Sequence, residues 1–392
     1  MKRFLVVVGA AFSLCCTAFA DNNISDVLRQ IAQNNLTLRA LAHDNNADVL
    51  DIKAENTLGG PSVEYSPFFR SGVSGVAQSE LVVSQEIQFP TKYAARSKQA
   101  EMQQAVGNQL AARQRRDILL AAELLCIDII RLNKTIGMLN ERLANSETLR
   151  LMYEKRMAAG DANILELNKV KLDCMEVRSL VKEAQNERTL LLQQLVQLNG
   201  GKPVEIATTE MPSFAPITDF DTYRSFALAS DADVKAAEAM LRSAEQNVKV
   251  EKQAWLPNIS VGYRRNTEQH EAVNGVLVGM SFPLYSNRKG VKAARERRES
   301  AELQVAQAQQ QAASSLRSRY QQLVGLQQIL DNNDVKMMQE TIALFAKALQ
   351  QGEITALVYY EEVNNIYEKL QRHIDLHSQS VKILAELHKN EL

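Results

Sequence analysis

Residues 257–284 read PNISVGYRRNTEQHEAVNGVLVGMSFPL. Apolar and polar residues alternate on both sides of the polar centre of this stretch, and this period of two predicts a pair of β-strands joined as a hairpin. The apolar positions are Ile259, Val261 and Tyr263 before the centre, and Val276, Val278, Met280, Phe282 and Leu284 after it. Each arm has about ten residues, the length that a tilted strand needs to cross a bilayer.

The hairpin is one part of a tandem repeat. Pro61 and Pro257 are 196 residues apart (257 − 61), and the glycines Gly160 and Gly352 are 192 apart (352 − 160). Each copy is predicted to contain a helix, a β-hairpin, a long helix, a turn and a further helix. The first copy occupies 21–199, with a hairpin at about 61–90 and helices at 91–158 and 162–198. The second occupies 220–392, with a hairpin at 257–285 and helices at 287–350 and 353–390, after a linker at 200–219. The opening helices of the two copies are predicted at about 24–58 and 221–254.

The long helices carry the pattern of a coiled coil. From Ile118 to Leu143, apolar residues recur at alternating spacings of four and three, which is typical of helices that pack along a shared seam. Arg188 is the one polar residue on the seam of the helix at 162–198. The sequence therefore predicts a mainly α fold with a small β part, in which a long antiparallel coiled-coil domain adjoins two β-hairpins. At ~1.5 Å per residue each long helix is about 100 Å long, so the two shorter helices of a copy are expected to stack end to end beside it.

Residues 1–20 have the composition of a secretory signal. Lys2 and Arg3 precede an apolar run, and Ala18-Phe19-Ala20 forms an A-x-A cleavage site. Cys15 and Cys16 leave open a lipoprotein anchor, although the residues just before Cys15 are not the small ones expected there. After Ala20 no apolar run reaches the ~18 residues of a membrane-spanning helix. The chain is therefore expected to be exported, with cleavage after Ala20 and no helical anchor.

Residues that could carry chemistry are few. His373 and His377 are one helical turn apart, but the sequence offers no third metal ligand near them, so packed histidines are favoured. Cys126 and Cys174 would be offset by about 30 Å within one helical hairpin, too far for a disulfide, and are expected to be packing residues. No nucleophile–base pair or phosphate loop is present, and the net charge of −1 does not favour a nucleic-acid partner. The chain is predicted to be a non-enzyme without a metal or other cofactor.

Four strands are too few for a membrane barrel. The smallest such barrel has about eight strands, and an open sheet edge in lipid leaves backbone groups without hydrogen bonds. The hairpins are therefore expected to pair with those of other copies, and three chains would supply twelve strands (3 × 4). A soluble sheet is the alternative. The basic run from Arg288 to Arg298 follows the second hairpin, where it either meets anionic lipid headgroups or forms a solvated wall.

These motifs, taken in order, resemble those of the TolC family of outer-membrane efflux ducts over nearly all of the exported length. The resemblance rests on LPNISVGY at 256–263, on the Phe-Pro pairs at Phe89 and Phe282, and on RMAAG at 156–160 with LQQGEI at 349–354. It implies a homotrimer with a twelve-stranded outer-membrane β-barrel, in contact with lipid, and a long periplasmic α-barrel. It also implies a passive conduit that works with a periplasmic adaptor (membrane fusion) protein and an inner-membrane pump of the RND or ABC type. The exported substrate, whether drug, metal, bile salt or protein, stays open.

The resemblance further implies a tunnel constriction at the periplasmic tip. The family places acidic residues there about two turns after the second tip glycine; one of these positions is Val358 here, and the other is Glu361, followed by Glu362. Glu166 is the candidate in the first copy. A ring of carboxylates from three chains would raise the local cation concentration. A solvated helix face is the alternative for these glutamates.

The resemblance assigns the tip turns at Gly160 and Gly352 to adaptor docking. Both glycines are also suited to end a helix, because glycine adopts positive φ readily. The alternative for the whole chain is a periplasmic adaptor or coiled-coil scaffolding protein that does not span the membrane. Adaptors usually carry one helical hairpin flanked by β domains, whereas this sequence predicts two hairpins.

Overall fold

The computed structural model describes residues 22–72, 74–268, 271–283 and 287–392. The predicted signal segment, with Cys15 and Cys16, lies outside these residues, as does Leu284. In the first half the elements are α1 (Asn22–Asn34), α2 (Leu36–Glu55), β1 (Ser62–Phe68), β2 (Gln78–Gln88), α3 (Pro90–Ala158) and α4 (Ile164–Leu198). In the second they are α5 (Phe220–Ser230), α6 (Ala232–Gln253), β3 (Asn258–Glu268), β4 (Glu271–Ser281), α7 (Asn287–Asp331), α8 (Val335–Gln351), α9 (Ala356–Leu387) and a 3-10 turn (Lys389–Glu391). The fold is thus mainly helical with one antiparallel sheet of four strands. None of the described helices has the length and apolar character needed to cross a membrane.

The opening helix of each half is interrupted, which corrects the single helices predicted at 24–58 and 221–254. Asn35 and Asp231 have extended backbone angles, and their side chains cap the helices that follow by accepting hydrogen bonds from the amides of Leu38 and Val234, both at 3.1 Å. An Asn or Asp in this conformation ends one helix and starts the next, because its side chain satisfies an amide that has no partner within the helix. The two breaks are 196 residues apart (231 − 35), the same spacing as Pro61 and Pro257.

The second long helix is also interrupted, and the single helix predicted at 287–350 is wrong. It ends at Asp331, and α8 begins at Val335 after Asp334 accepts a hydrogen bond from the amide of Met337 at 2.9 Å. The sequence here is Asp-Asn-Asn-Asp at 331–334. Such side chains bond to nearby backbone amides and so compete with the helix. In the first half, α3 continues without a break from Pro90 to Ala158. The last helix begins at Ala356 rather than 353 and ends at Leu387 rather than 390, because the tip turn and the 3-10 turn occupy its ends.

The chain forms two compact units. The tip unit contains residues up to Asn34, 121–214 and 329–382, and the sheet unit contains residues 35–120, 215–328 and 383–392. The tip unit has a core between the ends of α3, α4, α8 and α9, in which Tyr360 and Leu349 are among the largest fully buried side chains.

The linker after α4 packs against the tip unit, and this packing explains the polar residue on the seam of α4. Arg188 donates to the carbonyl oxygen of Ile206 at 2.9 Å and to the side-chain oxygen of Asn133 at 2.6 Å. Asn133 in turn donates to the carbonyl of Ile206 at 3.1 Å, and Ile206 is fully buried. The seam tolerates a guanidinium here because the carbonyl of Ile206 and the side chain of Asn133 accept its hydrogen bonds.

The sheet unit has its helical core where Leu316, Leu323 and Leu387 pack together. Beside them, Arg116 is almost fully buried and is neutralised by the carboxylates of Asp117, at 2.6 Å, and Asp233, at 2.9 Å. These contacts hold α3 against the start of α6 within the unit.

Candidate functional site

The register of the sheet gathers its apolar residues on one face. Antiparallel pairing in the order β1-β2-β3-β4 places directly paired residues on the same face. One row across all four strands is Val63, Val83, Tyr263 and Val276. A second row is Ile87, Ile259 and Met280, and Val261 pairs with Val278 between these two rows. The alternation seen in the sequence thus becomes an apolar face, which Gln85, the partner of Val261 on β2, interrupts.

The opposite face of the sheet is polar and has small side chains. One of its rows is Ser62, Ser84, Gly262 and Leu277, and the next is Glu86, Ser260 and Gly279. The two faces therefore differ in chemistry over the half of the strands nearest the helices. Towards the hairpin tips the difference is lost, since Arg265 and Asn274 lie on the apolar face and Val273 lies on the polar one.

The apolar face is exposed within the chain. Val63 is 66% exposed, Val276 84% and Val278 73%. Contiguous apolar surface of this kind marks an interaction with a partner protein or with lipid. β2, β3 and β4 each have eleven residues, and a tilted strand of about 9–11 residues spans the hydrocarbon of a bilayer.

The sheet has two open edges. β1 and β4 each pair with one neighbour in the described chain, on the side of β2 and β3 respectively. The outer backbone groups of these strands are available to another strand.

Both tip turns in the tip unit use a left-handed glycine. Gly160 has φ of 81° and Gly352 has φ of 76°. After each glycine, the amide of the next residue bonds back to a carbonyl five residues earlier: Asp161 to Arg156 at 2.8 Å, and Glu353 to Ala348 at 3.0 Å. This 6→1 bond is the Schellman closure of a helix, and it explains why glycine is needed at both positions.

Glu166 lies in the first turn of α4 and helps to start that helix. Its carboxylate accepts a hydrogen bond from the amide of Asn163 at 3.3 Å, while the side chain of Asn163 caps the helix in return. The corresponding position in the second half is Val358 (358 − 192 = 166), which has no carboxylate to offer. There, the hydroxyl oxygen of Thr355 alone accepts from the amide of Val358, at 3.4 Å.

Glu361 and Glu362 lie on the exposed side of α9, one turn after Val358, which is itself 43% exposed. Neither carboxylate forms an ion pair with any residue that the structure describes. The same side of α9 continues through Asn365 and Glu368. The structure therefore brings Glu361 and Glu362 together with Val358 on one open face.

A buried polar network lies behind this face. Arg142 on α3 donates to Asp173 on α4 and to the side chain of Asn364 on α9, both at 2.9 Å. Ser146 donates to the second oxygen of Asp173 at 2.5 Å, and the guanidinium of Arg142 lies 5.1 Å from the ring centre of Tyr367. Three helices are thereby joined through one charge pair, which fixes α9 relative to the hairpin of α3 and α4.

Sequence reasoning missed this network. Its members have no motif, and Arg142 and Asp173 are 18 and 13 residues from Gly160 (160 − 142 and 173 − 160), so a simple mirror register about the tip turn does not place them opposite each other. Near the network, burial raises the pKa of the Tyr359 hydroxyl to about 12, and it raises the pKa of Tyr360 further.

The remaining candidates behave as packed residues. The rings of His373 and His377 are stacked, with centres 6.3 Å apart. Burial, and then the nearby charge of Lys134, lower the pKa of both. Cys126 and Cys174 are buried free thiols. In the described ranges, no group of three His, Cys, Asp or Glu side chains could hold a metal ion.

Comparison with known proteins agrees with this architecture. Residues 224–389, somewhat less than half of the chain, match the family model described as outer membrane efflux protein. Among curated proteins, no sequence matches the chain.

The fold is similar to those of solved bacterial membrane proteins. A membrane protein of Pseudomonas aeruginosa has a TM-score of 0.78 and 17% identity, over 95% of this chain and 90% of that one. The outer membrane protein VceC of Vibrio cholerae has a TM-score of 0.75 and 16% identity, over 94% and 95%. The outer membrane channel MtrE of Neisseria gonorrhoeae has a TM-score of 0.73 and 14% identity, over 94% and 88%. The second half of the chain thus matches the model of the outer membrane efflux proteins, and the fold is similar almost throughout to those of VceC and MtrE.

Proposed function

We propose that the chain is one protomer of an outer-membrane duct in a tripartite efflux system, a passive conduit from the periplasm to the exterior. The observation that carries this proposal is the sheet with one exposed apolar face and one polar face. A soluble sheet turns its apolar face towards a core. A membrane barrel turns it outwards, towards lipid, and keeps its polar face towards the lumen.

The open edges of the sheet support assembly into a closed barrel. Each unsatisfied backbone group in hydrocarbon costs several kcal/mol, so the outer edges of β1 and β4 need partners in lipid. We propose that β4 of one protomer pairs with β1 of the next. A homotrimer would then close twelve strands (3 × 4), within the known range of barrels from about eight strands upwards.

The tip unit would form the periplasmic end of the duct. The proposed assembly includes a periplasmic adaptor protein at the turns of Gly160 and Gly352 and an inner-membrane pump beyond it. Residues 1–20 would direct export and would be removed by cleavage after Ala20. Exposed carboxylates of Glu361 and Glu362, repeated by symmetry, would favour cations at the mouth of the tunnel. Glu166 would contribute less, because its carboxylate is engaged at the start of α4.

The test of the proposal begins with the location and assembly of the full chain. We expect it in the outer-membrane fraction as a heat-sensitive oligomer that conducts ions in planar bilayers. Recovery wholly in the soluble periplasm would contradict the duct and favour an adaptor or scaffolding protein.

The test of the constriction uses the conducting oligomer. Glu361→Gln with Glu362→Gln is expected to reduce cation selectivity, measured as the reversal potential across a salt gradient. Glu176→Gln with Glu183→Gln removes the same charge from exposed positions on α4 and serves as the control. An equal effect of both pairs would show that only net charge matters, and would remove the special role of Glu361 and Glu362.

A further inference from the structure

Among the described strand residues, the apolar face of the sheet contains a single charged side chain. By the register of the four strands, this face includes Arg265 and no acidic residue. The other charged residues of the strands all lie on the polar face, and they are Glu64, Glu80, Glu86, Arg264, Glu268 and Glu271. Arg265 therefore lies on the same side of the sheet as the exposed valines Val276 and Val278.

The two neighbouring arginines of β3 have different partners. The guanidinium of Arg264, on the polar face, forms an ion pair with the carboxylate of Glu80 on β2 at 2.9 Å. Arg265 is exposed and forms no ion pair with any residue in the described ranges. Successive residues of a strand point to opposite faces, so Glu80 serves Arg264 and not Arg265. The charge of Arg265 thus has no counterion in the described part of the chain.

A neighbouring copy of the chain would not supply this counterion either. In the proposed barrel every protomer turns the same face outwards, and that face has no carboxylate in any of the four strands. The segments that join the strands at the hairpin tips, 69–77 and 269–270, contain no Asp or Glu. The counterion of Arg265 is therefore expected from the surroundings of the barrel.

Arg265 lies where the apolar character of this face ends. The row on its helix side contains Tyr263, and its own row contains Tyr65, Leu81 and Asn274. The next row towards the tips consists of Pro67, Ser79, Thr267 and Ala272. Membrane barrels have aromatic side chains at the boundary between hydrocarbon and headgroups, and a long arginine side chain reaches the headgroups from the edge of the hydrocarbon. This level of the sheet has both features.

The neighbours of Arg265 suit a phosphate group. Asn274 pairs directly with Arg265 across β3 and β4, so the two side chains start about 5 Å apart. The hydroxyl of Tyr263 donates to the side-chain oxygen of Asn274 at 2.5 Å. Since this oxygen already accepts a hydrogen bond, the N–H groups of the amide are the part of Asn274 that suits an acceptor. A guanidinium and an amide side by side are donors that match the oxygens of a phosphate.

We propose that Arg265, with the amide of Asn274 beside it, binds the phosphate group of a lipid headgroup in the leaflet on the side of the hairpin tips. This inference rests on the proposed function, since it requires the apolar face of the sheet to lie in lipid. The phosphate meets the one cation of this face, and the acyl chains of the same molecule cover Val276 and Val278 towards the helices.

A tryptophan at position 263 reports on lipid beside Arg265. Trp255→Phe removes the one tryptophan of the chain, and Tyr263→Trp places the fluorophore two residues from Arg265, about 7 Å along the strand. If this variant does not assemble, Tyr65→Trp carries the fluorophore in the same row as Arg265. The full-length oligomer is reconstituted in phosphatidylcholine vesicles that contain either brominated phosphatidylglycerol or brominated phosphatidylcholine at the same mole fraction.

We expect phosphatidylglycerol to quench this tryptophan more strongly. Its association constant, from the dependence of quenching on mole fraction, should be about fivefold that of phosphatidylcholine, which corresponds to the ~1 kcal/mol of attraction per basic residue near an anionic membrane surface. Arg265→Gln should reduce this ratio to about one. Arg264→Gln is the matched control, because it removes the same charge from the next residue on the polar face, and it should keep the ratio. Loss of the preference in both variants would show that only net charge matters and would overturn the site.

The outcomes separate the inference from the function on which it rests. Equal quenching by the two lipids leaves the sheet in the membrane and overturns the headgroup site. Quenching by neither lipid contradicts both the site and the membrane location of the sheet. If inorganic phosphate at constant ionic strength removes the preference, Arg265 binds free phosphate and the assignment to lipid is overturned.

Discussion

Substitution of Val276 by arginine tests which face of the sheet meets lipid. Val276 lies at the middle of β4, five residues from each end (281 − 276 and 276 − 271), and is 84% exposed in the single chain. If the strand spans a bilayer, residue 276 lies near the midplane, where an arginine facing lipid costs about 2–4 kcal/mol. Three symmetric copies would bring this to about 6–12 kcal/mol per trimer, enough to prevent stable assembly.

Leu277→Arg is the matched control for Val276→Arg. It introduces the same side chain at nearly the same depth but on the polar face, in the row with Ser84 and Gly262. The assay is the fraction of chain recovered from the outer membrane as heat-sensitive oligomer, at equal expression. We expect Val276→Arg to lose this oligomer and Leu277→Arg to keep most of it. A soluble sheet would give the reverse, because exposed surface positions change stability by only about 0.5 kcal/mol while Leu277 is half-buried. That reverse result would refute the assignment of faces.

Three further predictions concern the helices. Asp173→Ala leaves the guanidinium of Arg142 buried without its carboxylate, and is expected to lower the free energy of unfolding by about 3–5 kcal/mol in chemical denaturation; no loss would mean that the network is not formed. Gly352→Ala forces a side chain into positive φ and should cost about 1–2 kcal/mol, whereas Gly325→Ala, inside α7 with open space around it, should be neutral or stabilising. The pKa values of His373 and His377 are lowered, so the folded protein favours their neutral imidazoles. The stability that these neutral rings contribute is present above the ordinary histidine pKa of 6.5. It is lost as the pH falls through the lowered pKa values of the two histidines in the folded protein. The melting temperature should therefore fall on acidification, and less steeply when both histidines are replaced by glutamine; parallel pH profiles of the two proteins would contradict this.

The elements of this fold with a long, regular pattern could be predicted from the sequence. Period-two alternation located both hairpins, and the seam from Ile118 to Leu143 predicted a continuous α3. The breaks at Asn35 and Asp231 were missed because one capping residue hardly disturbs a periodic signal over thirty positions. The break before Val335 had a local signal, four successive Asp and Asn residues, which the apolar pattern outweighed.

The candidate site was less accessible to sequence reasoning. The sequence showed which strand residues alternate, but only the pairing of strands across the repeat shows that four apolar side chains align in one row. The hydrogen bonds from Arg142 to Asp173 and Asn364 depend on how α3, α4 and α9 pack together, and α9 is far from the other two helices in the sequence. The placement of Glu361 and Glu362 on an open face follows from α9, while their role at a tunnel mouth stays a proposal.

The helices that follow the two tip turns are capped differently, and this difference decides which of the two equivalent positions, 166 or 358, tolerates substitution. Substitution of Glu166 removes the carboxylate that closes the capping box of α4, and the amide of Asn163 then loses its hydrogen-bond acceptor. At Val358, its counterpart after a duplication, no such bond exists, and the residue can be exchanged for polar or apolar ones without loss of a helix cap. The duplicated chain thus has one constrained and one adaptable position at equivalent places. New properties at this end of the molecule can arise in the second half while the first preserves the shared architecture.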